Sequence, residues 1–135
     1  MRLDIAVLDT SALLALVGVL PLDAPEVDII YAPDGALLEV VAVLRSFHDG
    51  RLTDIQGDLA LIGPMVSEWI GAHRIAGTIA ELAVAHPDEL VVDLAAVAAA
   101  KVTRLPLVTG QPSLAGLDAD VAVVVLPRNP PLPWR

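Results

Sequence analysis

Three carboxylates stand among aliphatic residues with no cation within a helical turn: Asp9 in IAVLDTSALLAL, Glu39 in GALLEVVAVL and Asp93 in ELVVDLAAVAAAK. Taking a carboxylate out of water is costly unless something positive accompanies it. On a helix that partner would sit one turn away, yet Glu39 has Gly35, Ala36, Ala42 and Val43 there, and Asp93 has Glu89, Leu90, Ala96 and Val97. A divalent ion shared by the three acids would neutralise them together. A carboxylate-held ion activates water, which points to a hydrolytic site. Each acid also has a plainer role open to it: Asp9 can cap the helix that follows it, Asp93 can sit at a helix start, and Glu39 can be a solvated surface residue.

Bringing three such distant residues together requires elements that end at one place, and the hydrophobic pattern supplies them. Residues 3–8 (LDIAVL) form a run apolar except at Asp4 that stops at Asp9-Thr10-Ser11, and SALLALVGVL follows as a short helix. A strand over 28–32 leads through Pro33-Asp34 into an apolar helix reaching Phe47. A helix from Thr53 to Ile62 is expected to break at Gly63-Pro64. A strand at 65–70 with Glu68 outward, a helix at 72–85, an Ala-rich helix at 89–103, a strand at 105–110, a turn at 112–116 and a strand at 121–126 complete the alternation. Near-continuous apolar strands separated by helices imply a parallel sheet covered on both faces, an open α/β/α sandwich of roughly five strands. The reading is one domain over residues 1–127 followed by a proline-rich tail at 128–135, expected to be extended. In such a sheet ligands bind beyond the carboxyl ends of the strands, where Asp9 lies.

Composition narrows the function. Of 135 residues, 56% are hydrophobic and 19% charged, against about 45–50% apolar in ordinary soluble domains, so part of the apolar excess is expected to face a second copy. The net charge is −9 and Lys101 is the only lysine, so bulk electrostatics repel nucleic acid and any polyanion must be held locally. Arg45, Arg51, Lys101 and Arg104 are the candidates for that contact, each with solvated surface charge as the plainer alternative. With no cysteine, disulfides, thiolate metal sites and cysteine nucleophiles are excluded. His48, His73 and His86 have no ligand spacing. The apolar run from Ala12 is interrupted by Gly18 and Pro21 and is too short to span a bilayer. Asp4 and Asp9 also break up a signal-peptide core, so a cytoplasmic protein without a membrane segment is expected.

The order and spacing of these pieces resemble the PIN-domain ribonucleases, in particular the VapC toxins of bacterial toxin–antitoxin pairs. The resemblance is carried by Asp-Thr-Ser-Ala-Leu (Asp9 to Leu13), the segment from Ala32-Pro33 through Glu39 to Leu44-Arg45, and Gly-Arg-Leu-Thr (Gly50 to Thr53). The helix starting near Asp93 and its following Pro-Leu-Val-Thr (Pro106 to Thr109) complete it. It spans most of the chain. It implies a PIN-like fold, Mg²⁺ or Mn²⁺ as cofactor, and Asp9 and Asp93 as principal metal ligands. Glu39 would bind the ion directly or one step removed, and Thr10, Ser11, Thr109 and Gln111 would support the site by hydrogen bonding. RNA would be the substrate and a small VapB-like antitoxin the protein partner. The chain departs from the family at Gln111, where a further Asp usually follows the strand; Asp118 and Asp120 come soon after but are expected to cap the approach to the last strand.

Three functions follow from this reading: a metal-dependent endoribonuclease toxin with Asp9, Glu39 and Asp93 catalytic, a catalytically weakened relative that mainly binds an antitoxin or RNA, and an α/β oligomerisation module without chemistry. The apolar excess gives the first testable outcome. Light scattering at micromolar concentration should return twice the 14.1 kDa chain mass, since cyclic dimers are the commonest closed assemblies; a monomer at every concentration would refute the homodimer.

Overall fold

The computed structural model describes residues 2–129. Five strands, β1 (Arg2–Leu8), β2 (Glu26–Pro33), β3 (Val66–Ile70), β4 (Leu107–Thr109) and β5 (Val123–Val125), form one sheet in the order β3-β2-β1-β4-β5, every pair parallel. The helices are α1 (Thr10–Leu16), α2 (Gly35–Phe47), α3 (Leu52–Met65), α4 (Ala72–Ala85) and α5 (Val91–Thr103), with a 3₁₀ turn at Pro112–Leu114. This is the expected α/β sandwich with a five-stranded parallel sheet.

The layering follows from chain direction. Right-handed crossovers place the helices of connections running one way across a sheet on one face and those running back on the other. From β1 to β2 to β3 the chain moves outward on one side, and α1, α2 and α3 pack together with Ala6 and Leu8. From β3 it returns past β1 to β4 and β5, and α4 and α5 pack with Val7 and Leu107 on the opposite face. Ala6, Val7 and Leu8 at the end of β1 thus feed different cores in turn, which is why that half of the strand is apolar without alternation, while Arg2 and Asp4 in its first half are exposed.

Helix α5 is buried through Leu94, Ala96, Val97, Ala98, Ala99 and Ala100. Its alanines let it lie against β1, β2 and β4 while α4 packs on its outer side. The two faces of the sheet meet beyond its upper end, where α2 and α5 approach one another.

Two expected boundaries shift for local reasons. Helix α1 ends at Leu16 rather than near residue 20, because Gly18 takes a left-handed conformation (φ +73) that turns the chain out of the helix. Helix α3 passes through Gly63 and Pro64 to Met65. Proline's fixed φ is helical, and near a helix end it removes a single hydrogen bond, so the chain enters β3 at Val66 with no loop. Strands β4 and β5 are each three residues long, shorter than their apolar runs.

Past β5 the chain is tied back to the segment before β2. Asp23 N–H donates to Pro127 O, Asn129 N–H donates to Pro21 O, and Leu22 bridges Arg128 in antiparallel sense. The remainder of the proline-rich tail, 130–135, lies outside the described residues. Among those described, no helix is long and apolar enough to cross a membrane.

The packing of α5 leaves no room for added volume. Ala98→Leu should lower stability by about 1–3 kcal/mol through overpacking, read as a lower urea midpoint with an unchanged slope; a wild-type midpoint would show that the α5–sheet gap is looser than the burial implies.

Candidate functional site

Strand order β3-β2-β1-β4-β5 reverses direction between β1 and β4, and the crevice at their carboxyl ends is where open α/β sheets bind ligands. Asp9 stands in that crevice, one residue past β1 and only 4% exposed. Its extended backbone makes it the N-cap of α1, and its Oδ1 accepts from Ala12 N–H at 2.9 Å. Capping is therefore part of its role. The same oxygen accepts from Ser11 Oγ at 2.7 Å, and Oδ2 accepts from the buried Thr109 hydroxyl at the end of β4.

Both hydroxyls are themselves held by the loop after β4. Gly110 N–H donates to Ser11 Oγ at 2.7 Å and Gln111 N–H donates to Thr109 Oγ1 at 3.0 Å. Two successive backbone N–H groups thus act on Asp9 through two hydroxyl relays. Gly110 makes the first possible, because a Cβ there would lie 2.4 Å from Leu22 Cδ1 and 3.2 Å from Ser11 Oγ. Neither Gly110 nor Leu22 is singled out by the sequence; the available signal was a glycine directly following a strand-end threonine.

The other acids arrive on helix starts. Asp93 lies in the first turn of α5, and its Oδ1 accepts from Gln111 Nε2 at 3.2 Å. Glu39, half-buried on α2, accepts from Thr10 Oγ1 at 2.7 Å through Oε1. The hydrogen-bonded set therefore comprises Asp9, Thr10, Ser11, Glu39, Asp93, Thr109 and Gln111, drawn from three helices and the ends of two strands. Burial pushes the Asp9 carboxyl above the ordinary carboxylate range; the Ser11, Thr109 and Ala12 hydrogen bonds oppose this, and the negative charge of Asp93 adds a smaller push upward. None of the ion pairs among the described residues involves Asp9, Glu39 or Asp93.

The expected convergence of Asp9, Glu39 and Asp93 on one ion is not what the side chains form. All the available ligands are hard oxygens, but among the described residues no three His, Cys, Asp or Glu side chains are grouped so as to hold a metal. Asp9 and Asp93 lie within electrostatic reach of each other, while Glu39 is engaged with Thr10. A site built on one or two carboxylates, completed by water and substrate phosphate, is the arrangement Mg²⁺ adopts. Asp9 retains a lone pair for it, since three of about four acceptor positions are used.

The four basic candidates do not gather here. Helices in a parallel sandwich run against the strands, so Lys101 and Arg104 sit roughly 12 and 17 Å further along α5 than Asp93, at the opposite end of the sheet. They line a cleft of about 570 Å³ there with Leu105, Pro106, Asp120 and Ala122. Lys101 Nζ pairs with Asp118 at 2.6 Å, and Asp118 also accepts from Asp120 N–H, so Asp118 is engaged at that end of the sheet, away from Asp9 and Asp93. Arg51, beyond the far end of α2, pairs with Asp54. Arg45 is exposed in the last turn of α2, roughly 9 Å along the axis from Glu39.

No protein-family model and no curated protein matches the chain, so the functional argument rests on these side chains.

The raised Asp9 pKa carries a stability consequence. A folded-state pKa above the unfolded one favours the protonated native protein, so this contribution is complete below about pH 3.9 and is lost as pH rises through the folded value. Asp9→Asn should remove that loss. The difference in denaturant midpoint between mutant and wild type should shift in the mutant's favour from about pH 4 to pH 7; a pH-independent difference would show that hydrogen bonding fully offsets burial.

Proposed function

We propose that the protein is a PIN-like, divalent-metal-dependent endoribonuclease, the toxin of a toxin–antitoxin pair, with Asp9 and Asp93 holding Mg²⁺ or Mn²⁺. The observation that carries this reading is a buried carboxylate with no cationic partner, fixed at the switch point of the sheet and electrostatically coupled to a second aspartate. When bound, such an ion acidifies water and stabilises charge on a phosphoryl oxygen.

The chain's own residues supply orientation. Ser11 and Thr109 fix the plane of the Asp9 carboxylate, Gln111 holds Asp93, and Thr10 holds one oxygen of Glu39 and leaves the other for water or a substrate hydroxyl. Reacting groups held in this way need less reorganisation during hydrolysis. RNA would be held mainly through the ion; among the basic candidates, Arg45 lies roughly 9 Å along α2 from Glu39 and Lys101 roughly 12 Å along α5 from Asp93. With so few phosphate contacts, the salt dependence of binding should be shallow.

A small antitoxin and a second copy of the chain are the protein partners in this reading. Exposed Leu37, Leu38 and Val41 on α2 and Leu90, Val91 and Val92 before and within the first turn of α5 flank the acids and offer apolar surface for such contacts. Gln111 favours a second reading, a weakened relative that mainly binds its antitoxin or RNA, because its amide stands where the resemblance implies a fourth acid.

Mn²⁺ should raise the thermal midpoint of the wild type, by the equivalent of about 2.7 kcal/mol at a hundredfold excess over Kd. Asp9→Asn and Asp93→Asn should each abolish the rise relative to their own metal-free midpoints. Purified protein should cleave RNA in a chelator-sensitive manner. Equal metal shifts in all three proteins would exclude the shared site, while a shift without cleavage would favour the binding module.

A further inference from the structure

We infer that Leu22 is a positioning residue for the Asp9 cluster, and that the backbone of residues 127–129 is a clip that keeps it in place. The hydrogen bonds of the cluster carry this inference and no ion enters it, so it stands or falls separately from the proposed function.

Leu22 lies in the connection between α1 and β2 and is buried in the same core as Val19 and Leu126. Its Cδ1 and Ser11 Oγ share the space beside Gly110 that a Cβ would fill. The Leu22 methyl therefore adjoins the 2.7 Å bond from Gly110 N–H to Ser11 Oγ, whose hydroxyl donates in turn to Asp9 Oδ1. An apolar group against such a bond keeps water from competing for the donor and fixes the loop that carries it. A side chain with no polar atom thus bears on the hydrogen bonding of a buried carboxylate.

The chain beyond β5 holds Leu22 there. Leu22 bridges Arg128, and the bonds on either side of it, Asp23 N–H to Pro127 O and Asn129 N–H to Pro21 O, are each 3.0 Å. Leu126 N–H donates to Thr109 O at 2.8 Å, so the same stretch is anchored to the residue that supplies the second hydroxyl on Asp9. Residues 127–129 are exposed, whereas Leu22, Thr109 and Asp9, which they secure, are buried. Two backbone bonds at the surface open at far lower cost than a core element. Opening the clip reaches Asp9 from outside the acid crevice, through Leu22, Gly110 and Ser11.

The experiment is amide hydrogen exchange, read by NMR, on the full chain of wild type, Leu22→Ala, Leu22→Met and Asn129→Pro. Asn129→Pro removes one donor of the clip at an exposed position and keeps the test open should Leu22→Ala fail to fold. The quantity compared is the part of the exchange rate that does not depend on added urea, which reports local opening and not global unfolding. Gly110 N–H should exchange roughly fivefold faster in Leu22→Ala and in Asn129→Pro, the scale of one hydrogen bond. It should keep its wild-type rate in Leu22→Met, which preserves the reach of the side chain, and His48 N–H, bonded to Leu44 O at the far end of α2, should keep its rate in all four proteins. Equal acceleration at Gly110 and His48 would make Leu22 an ordinary core residue and overturn the inference. A wild-type Gly110 rate in Asn129→Pro would overturn the clip.

Discussion

Much of this structure depends on how one buried carboxylate obtains its hydrogen bonds. Asp9 has no basic partner, so its charge is met by a backbone N–H in α1, a hydroxyl on α1 and a hydroxyl at the end of β4. Those three donors belong to segments a hundred residues apart in the chain, and they converge only if β4 lies directly beside β1. The Val7–Leu107 and Leu8–Val108 register, the close approach at Gly110 and the position of Ser11 all meet the same condition. Burying a charge with neutral donors alone is tolerable only when each donor is fixed, and here each hydroxyl is fixed by a further N–H from the β4 loop.

The direction of the helices then sorts charge by height in the sandwich. Helix starts bring Glu39 and Asp93 to the carboxyl end of the sheet, while Arg51, Lys101 and Arg104 follow helix ends to the other side. Asp93, in the first turn of α5, also lies at the favourable end of that helix's dipole, whereas Glu39 sits a turn further in on α2. The result is a site without local countercharge, while Lys101 and Arg51 are already paired with Asp118 and Asp54 away from it.

Most of the architecture can be read from the residue pattern, because a parallel sheet covered on both faces leaves long apolar strands and strongly periodic helices. Helix α4 spans the residues its pattern implies, Ala72–Ala85. Where the pattern misleads, the cause is local: Pro64 near a helix end is less disruptive than proline in a helix middle, and Val121-Ala122 are apolar without belonging to a strand. The candidate site was legible as residue types but not as partnerships. Glu39 and Asp93 were conspicuous for lacking a cation in their own helices, yet nothing in the chain order shows that Thr10 would hold one and Gln111 the other. The placement of Lys101 and Arg104 away from the acids was implicit in the parallel topology, since a residue late in a helix cannot lie at the end where that helix begins.

The return of the chain beyond β5 also limits how the molecule can assemble. β5 is an outer strand of three residues, and immediately after it the Pro127 carbonyl and the Asn129 N–H are taken by Asp23 and Pro21. Pro127 has no N–H to offer in any case. A neighbouring molecule therefore finds too short a row of free donors and acceptors to add a strand there, and growth of a continuous intermolecular sheet from that edge is blocked. Association at this side of the molecule is left to side chains, which favours closed, discrete assemblies over open-ended fibres.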